Sequence, residues 1–204
     1  MASADSSICG GLVISARNCT IAVGLPLVRA EFEESLKHSP DIYGAGFVAG
    51  WHQYAVQWLT PFRRFLNECI ELGVTYEPTD SLQAIKKCFD RREMRVLLLI
   101  SHWHEEHIEW SGRFEPIEAL VGCVEQDFDG VLDLCICHPK RLRELLDIDR
   151  PKCLIRYSTQ EVDPAYWLPY FKGLFRLLNA GRHCYASAHE ALNIAIASRT
   201  KASR

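Results

Sequence analysis

Two segments of this chain place a reactive side chain directly after a strongly apolar run. His102 follows Val96–Ile100 and Ser101, and Cys137 closes the run that starts at Val131. A thiol is mostly protonated at neutral pH, and a nearby imidazole can take its proton and hold the thiolate as an ion pair. If the two runs are neighbouring parallel strands, His102 and Cys137 project from one edge of a sheet and form a general base and its nucleophile.

The elements that must position these residues alternate along the chain. Short apolar runs predict strands over 12–15, 20–23, 74–76, 96–101, 131–137 and 153–158. Three- and four-residue spacing of apolar residues predicts helices over 55–69, 82–89, 117–124, 164–178 and 185–195. This alternation predicts an α/β fold, a three-layer sandwich with a mainly parallel central sheet. Ligands of such sheets bind beyond the carboxyl ends of the strands, where both reactive residues fall.

Length, charge and cysteine usage narrow the class of protein. A chain of 204 residues predicts one domain over 1–204, and the net charge of −3 comes without the basic stripe that duplex nucleic-acid binding needs. None of the nine cysteines forms a CxxC pair, which argues against a zinc ribbon and favours reduced thiols. With no signal peptide and no long apolar run, the expectation is a cytoplasmic protein that does not bind membranes.

The order of these segments resembles the caspase-like cysteine peptidases of the CHAT type over about residues 74–197. RVLLLISH is similar to the family's strand that ends in a histidine, and VLDLCIC to the strand that ends in the nucleophilic cysteine. Residues 108–122 are similar to its hairpin and helix, with Ser111-Gly112 at the turn. The segments 153–181 and 183–196 are similar to its next strand, long helix and closing helix. Residues 1–73 share only general strand and helix content.

The resemblance implies a caspase-like fold and hydrolysis of peptide bonds in protein or peptide substrates. It makes Cys137 the nucleophile and His102 the general base, with the backbone N–H groups of Trp103 and Cys137 facing the oxyanion. It implies no metal and no organic cofactor. Peptidases of this type are often effectors switched on by a sensor or regulatory protein, which in bacteria would fit an anti-phage role.

Two residues depart from the family's pattern. Trp103 stands where those peptidases usually have glycine after the histidine. Pro139 removes a backbone donor two residues after Cys137. The sequence therefore leaves open a second hypothesis, in which the chain is a catalytically inactive relative that keeps the fold and binds partner proteins as a scaffold.

The segment HWHEEH supports a third hypothesis, a zinc-dependent hydrolase. It resembles the HxHxDH signature of metallo-β-lactamase-fold hydrolases, with Glu106 in place of the aspartate. Imidazoles of His102, His104 and His107 on a turn after a strand could surround zinc, and the carboxylate could hold a second ion or position water. The histidines later in the chain do not lie in the Gly-rich loops where that fold supplies its remaining ligands.

Overall fold

The protein is described by a computed structural model that covers residues 13–104, 106–136, 140–150, 152–157, 164–181 and 183–202. In chain order its strands are β1 (Cys19–Val23), β2 (Thr75–Tyr76), β3 (Val96–Ile100), β4 (Trp103–His104), β5 (His107–Trp110), β6 (Arg113–Pro116), β7 (Val131–Cys135) and β8 (Leu154–Tyr157). Five of them form a central sheet in the order β2-β1-β3-β7-β8, and every pairing within it is parallel. The predicted α/β class with a parallel central sheet is confirmed.

Nine α-helices lie within the described residues. They are α1 (Arg29–His38), α2 (Pro40–Gly46), α3 (Trp51–Tyr54), α4 (Thr60–Glu71), α5 (Lys86–Phe89), α6 (Ile117–Val121), α7 (Lys140–Asp149), α8 (Pro164–Asn179) and α9 (Tyr185–Ala202). A π-helical turn, Ala55–Leu59, joins α3 to α4, and a 3₁₀ turn, Leu82–Ile85, leads into α5. All five predicted helical segments are therefore helical, although their bounds differ.

Helices cover both faces of the central sheet. One face presents the side chains of Ile21, Leu98 and Val131, which are buried against α4, α8 and α9. The opposite face presents Leu97 and Leu132, which are buried against α5, α6 and α7. Every residue of β3 is buried, as expected for a central strand with an unbroken apolar run.

The chain order of the strands reverses between β1 and β3, because the chain moves outward from β1 to β2 before it returns to β3. Val23 at the end of β1 pairs with Ile100 at the end of β3, and the Gly24 N–H donates to the Ile100 carbonyl at 2.8 Å. In open parallel sheets a crevice forms at the carboxyl ends of the strands where the order reverses. His102 follows β3 at this point.

A small antiparallel sheet, β4-β5-β6, lies beyond the carboxyl end of β3 and packs against α1. Its β5–β6 turn has positive φ at both central residues, 50° at Ser111 and 81° at Gly112. That pair of angles defines the turn type whose twist suits a two-residue hairpin. The expected hairpin with Ser111-Gly112 at its turn is confirmed, and α6 follows it directly.

The N-terminal strand prediction is wrong. Residue 12 lies outside the described residues, residues 13–15 have no regular structure, and a 3₁₀ turn follows at Ala16–Asn18. Val13 is 54% exposed and Ile14 is buried in the core, but neither residue belongs to a strand. The helices α1, α2, α3 and α7 were not predicted. Of these, α1 and α7 each bury only two residues, which leaves little apolar periodicity in the sequence. Among the described residues, none of the helices has both the length and the apolar character needed to cross a membrane.

Candidate active site at the carboxyl edge of the sheet

The register of β3 and β7 relates the two predicted catalytic positions. Each residue of β3 pairs with the residue 35 positions later in β7, from Val96 with Val131 to Ile100 with Cys135. Beyond the last pair, the Ser101 N–H donates to the Cys135 carbonyl at 3.3 Å. The described part of β7 thus ends at Cys135, and Cys137 lies outside the described residues.

His102 lies just past the end of β3, between the central sheet and the small sheet. Its carbonyl oxygen accepts a hydrogen bond from the Glu109 N–H at 3.0 Å, which fixes the main chain to β5. Its ring meets the ring of Tyr43 edge to face, with centroids 6.4 Å apart. The imidazole is half-buried, so it combines a fixed backbone with access to solvent.

Glu109 is the buried carboxylate next to this histidine. It is 0% exposed in the middle of β5, where Ile108 and Trp110 point to the opposite face. Hydroxyl groups of Ser35 and Tyr43 donate to its two carboxyl oxygens. Burial raises the pKa of Glu109 to about 7, although both hydroxyl donors oppose the shift. Sequence reasoning missed this residue, and its only signal is an acidic side chain between two large apolar ones.

Gly24 allows β5 to approach the ends of β1 and β3 closely. A β-carbon at this position would lie 2.3 Å from the Glu109 carbonyl oxygen and 2.7 Å from Ser101 Oγ. Ser101 Oγ in turn donates to that same carbonyl. Ser101 and Gly24 therefore both lie against the Glu109 carbonyl, and there is no space for a side chain at position 24.

The described cysteines include one close to the candidate site. Cys135 ends β7, is half-exposed and packs against the same face of the core as Ile100. Burial raises the pKa of Cys69 and of Cys88 to about 12, which leaves these thiols unreactive at neutral pH. Seven cysteines lie within the described ranges, and the free thiols among them include Cys19, Cys69, Cys88, Cys123 and Cys184.

Three residues of the HWHEEH segment, Trp103, His104 and His107, belong to the small sheet. Trp103 and His104 make β4, His104 pairs with His107 of β5, and Trp103 packs half-buried against the core on the α6 side. Glu106 has a φ of 65° and lies 3.4 Å from the Arg141 guanidinium in an exposed ion pair. Across the described ranges, which omit Glu105, no three His, Cys, Asp or Glu side chains come together in a way that could hold a metal ion.

His104 and His107 line an open cavity of about 610 Å³ between the small sheet and α1. Glu34 and His38 of α1, whose side chains lie 3.3 Å apart, also line this cavity, as does Phe114 of β6. The ring of Phe114 contacts the imidazoles of both His38 and His104. The cavity is a mixed polar and aromatic groove adjoining the segment that carries His102.

A second buried carboxylate, Asp133, lies deeper in β7. Arg156 of β8 donates to both of its oxygens at 2.9 and 3.0 Å, and the Tyr185 hydroxyl donates at 2.7 Å. His189 Nε2 lies 3.4 Å away without hydrogen-bond geometry, and its Nδ1 is 2.6 Å from the Tyr170 hydroxyl. These contacts tie α8 and α9 to the sheet, and no sequence pattern indicated them.

Comparison with known proteins yields no relative. No protein-family model, no curated protein and no solved structure matches the chain.

Proposed function

We propose that the chain is a cysteine peptidase of caspase-like architecture, in which Cys137 attacks the scissile peptide bond and His102 is the general base. The observation that carries this proposal is the register of β3 and β7. Its constant offset of 35 positions is also the separation of His102 and Cys137 in the sequence. The position of His102 at the point where strand order reverses supports the same assignment.

The proposed reaction has two stages. His102 takes the proton of the Cys137 thiol, the thiolate adds to the carbonyl carbon, and the backbone N–H groups of Trp103 and Cys137 donate to the resulting oxyanion. The C–N bond then breaks as His102 gives the proton to the leaving amine, which leaves a thioester. Water, deprotonated by His102, hydrolyses that thioester and restores the thiol.

Covalent labelling tests this proposal. The protein is incubated with a mixed-sequence set of peptides that carry a thiol-reactive ketone, and the labelled residue is located by peptide mapping and mass spectrometry. We expect one adduct per chain at Cys137, lost in Cys137→Ala. Replacement of the general base in His102→Ala should slow labelling by about 100-fold or more.

Cys135→Ala is the matched control, because Cys135 is a half-exposed thiol only two positions from the proposed nucleophile. It should label at the wild-type rate. Equal labelling of Cys135 and Cys137, or a rate unaffected by His102→Ala, would show that the thiol reacts without an activating base. The same preparation is assayed for zinc, and stoichiometric zinc that is lost in His104→Ala would favour the hydrolase hypothesis instead.

The regulatory setting is part of the same proposal. A peptidase of this type would cleave a few dedicated protein substrates when a separate sensor protein binds it. The buried thiols of Cys19, Cys69 and Cys88 are compatible with a reducing compartment, and we propose the cytoplasm. Co-purification of the tagged Cys137→Ala protein would trap substrates and regulators as stable complexes.

A further inference from the structure

Glu109 is unusual among the buried groups because hydroxyls, rather than a cation, hold its carboxylate. Ser35 donates from α1 to one oxygen and Tyr43 donates from α2 to the other. Placing a carboxylate in such a site is unfavourable for stability, since burial without a counter-charge disfavours the ionised form. A stability role alone would be served as well by an apolar side chain, since the other buried residues of β5, Ile108 and Trp110, are apolar.

Tyr43 connects this carboxylate to the candidate catalytic histidine. Its ring is 3% exposed and packs against the rings of Phe32 and Tyr54, with centroids 5.5 and 6.0 Å away. Its hydroxyl is fixed by Glu109, and its ring meets the imidazole of His102. The imidazole of His102 therefore packs against a ring whose hydroxyl is fixed by Glu109 and whose faces and edges are packed against other aromatic rings.

Glu109 also fixes the main chain of the same histidine. Its N–H donates to the His102 carbonyl, and its own carbonyl accepts from Ser101 Oγ against Gly24. One residue of β5 thus controls the backbone of His102 directly and its ring through Tyr43. A displacement of about 1 Å in such a group can reduce a reaction rate by about 100-fold.

We propose that Glu109 and Tyr43 are positioning residues that hold the His102 imidazole in the orientation needed to accept the proton of the nucleophile. Neither residue touches substrate. The inference rests on the proposed function, because it assigns a purpose to the orientation of His102.

The test compares two hydroxyl deletions at the same carboxylate. Tyr43→Phe keeps the ring but loses its hydrogen bond to Glu109, and Ser35→Ala loses the hydrogen bond to the other oxygen without altering the ring next to His102. The labelling reaction above gives a maximal inactivation rate and a half-saturating peptide concentration. Tyr43→Phe should lower the maximal rate about tenfold and leave the half-saturating concentration unchanged, whereas Ser35→Ala should change both by less than about twofold.

A second readout does not depend on activity. The side-chain ¹⁵N resonances of His102, assigned by comparison with His102→Gln, report the tautomer and the mobility of its imidazole. Tyr43→Phe should broaden or shift these resonances, and Ser35→Ala should leave them at their wild-type positions. Urea unfolding of both variants shows whether they lose similar stability, so that a general loss of folding is distinguished from misplacement of the ring.

The outcomes separate the two proposals. If Cys137 is labelled and His102 is required, but Tyr43→Phe matches Ser35→Ala in both readouts, the positioning role is wrong and the peptidase proposal stands. If Cys137 is not labelled but the His102 resonances respond to Tyr43→Phe alone, the peptidase proposal fails and the positioning of His102 remains. Unchanged His102 resonances in Tyr43→Phe overturn the positioning role whatever the labelling shows.

Discussion

Glu109 and Asp133 are both fully buried carboxylates, but different groups surround them. Asp133 is paired with the Arg156 guanidinium, and burial alone would raise its pKa. Arg156 and the other polar neighbours more than offset that effect and hold the pKa of Asp133 below its ordinary value. Glu109 has only hydroxyl donors, so burial prevails and raises its pKa to about 7.

The difference agrees with a structural role for Asp133 and with the positioning role that we propose for Glu109. The Asp133 network connects β7 and β8 to α8 and α9, and it satisfies the charge that it buries. The Glu109 site leaves its charge uncompensated and lies beside His102, at the edge of the sheet where ligands of this class of fold bind. Groups with perturbed pKa values cluster at functional sites, and structural ion-pair networks such as that of Asp133 also perturb pKa values.

Replacement of Asp133 should cause the largest loss of stability. Asp133→Ala leaves the guanidinium of Arg156 without its partner, and removing one member of a buried ion pair costs about 3 kcal/mol or more. Urea unfolding measured by circular dichroism should show this loss in the free energy of unfolding. Asp147→Ala, which removes an exposed ion pair with Arg143, should cost less than about 1 kcal/mol. Equal losses in the two variants would contradict a structural role for the buried network.

Replacement of Gly24, which lies against the Glu109 carbonyl, should cause the next largest loss of stability. In Gly24→Ala the new methyl group would overlap the Glu109 carbonyl, which cannot move without displacing β5, and we expect a loss of about 1–3 kcal/mol. Gly46→Ala is the control, because a β-carbon there meets no atom within 4 Å and alanine favours the helix. A Gly24→Ala protein as stable as Gly46→Ala would show that β5 adjusts freely and does not fix His102.

How much the sequence predicts follows from the range of the interactions involved. The strands β3 and β7 were predictable because their apolar runs are local and unbroken. The Glu109 site was not, because its donors Ser35 and Tyr43 are 74 and 66 positions away in the chain and no periodicity relates them. The pairing of His102 with Cys137 stays a prediction, since Cys137 lies outside the described residues.

The raised pKa of Glu109 predicts how stability depends on pH. Between the ordinary pKa of 4.5 and the folded value of about 7, the folded state keeps a proton that the unfolded state releases. Stability should therefore fall as pH rises through this window, by at most about 1.4 kcal/mol per pH unit. Glu109→Gln should remove that slope when unfolding is measured across the window. If the variant and the wild type show parallel pH profiles, Glu109 is ionised in the fold and its site must hold a compensating charge.

Replacing His189 should change the pH dependence of stability least. Its contribution has the opposite sign to that of Glu109, because it makes stability rise with pH. Burial lowers the pKa of His189 below its ordinary value of 6.5, although the neighbouring Asp133 carboxylate opposes this shift. The folded state resists protonation of the ring, so stability is present above pH 6.5 and is lost as pH falls through the lowered pKa. His189→Asn should flatten this part of the pH profile while the Glu109 slope remains. If His189→Asn leaves the loss of stability at acidic pH unchanged, another group causes that loss. The expected contrast between the His189 and Glu109 sites would then be wrong.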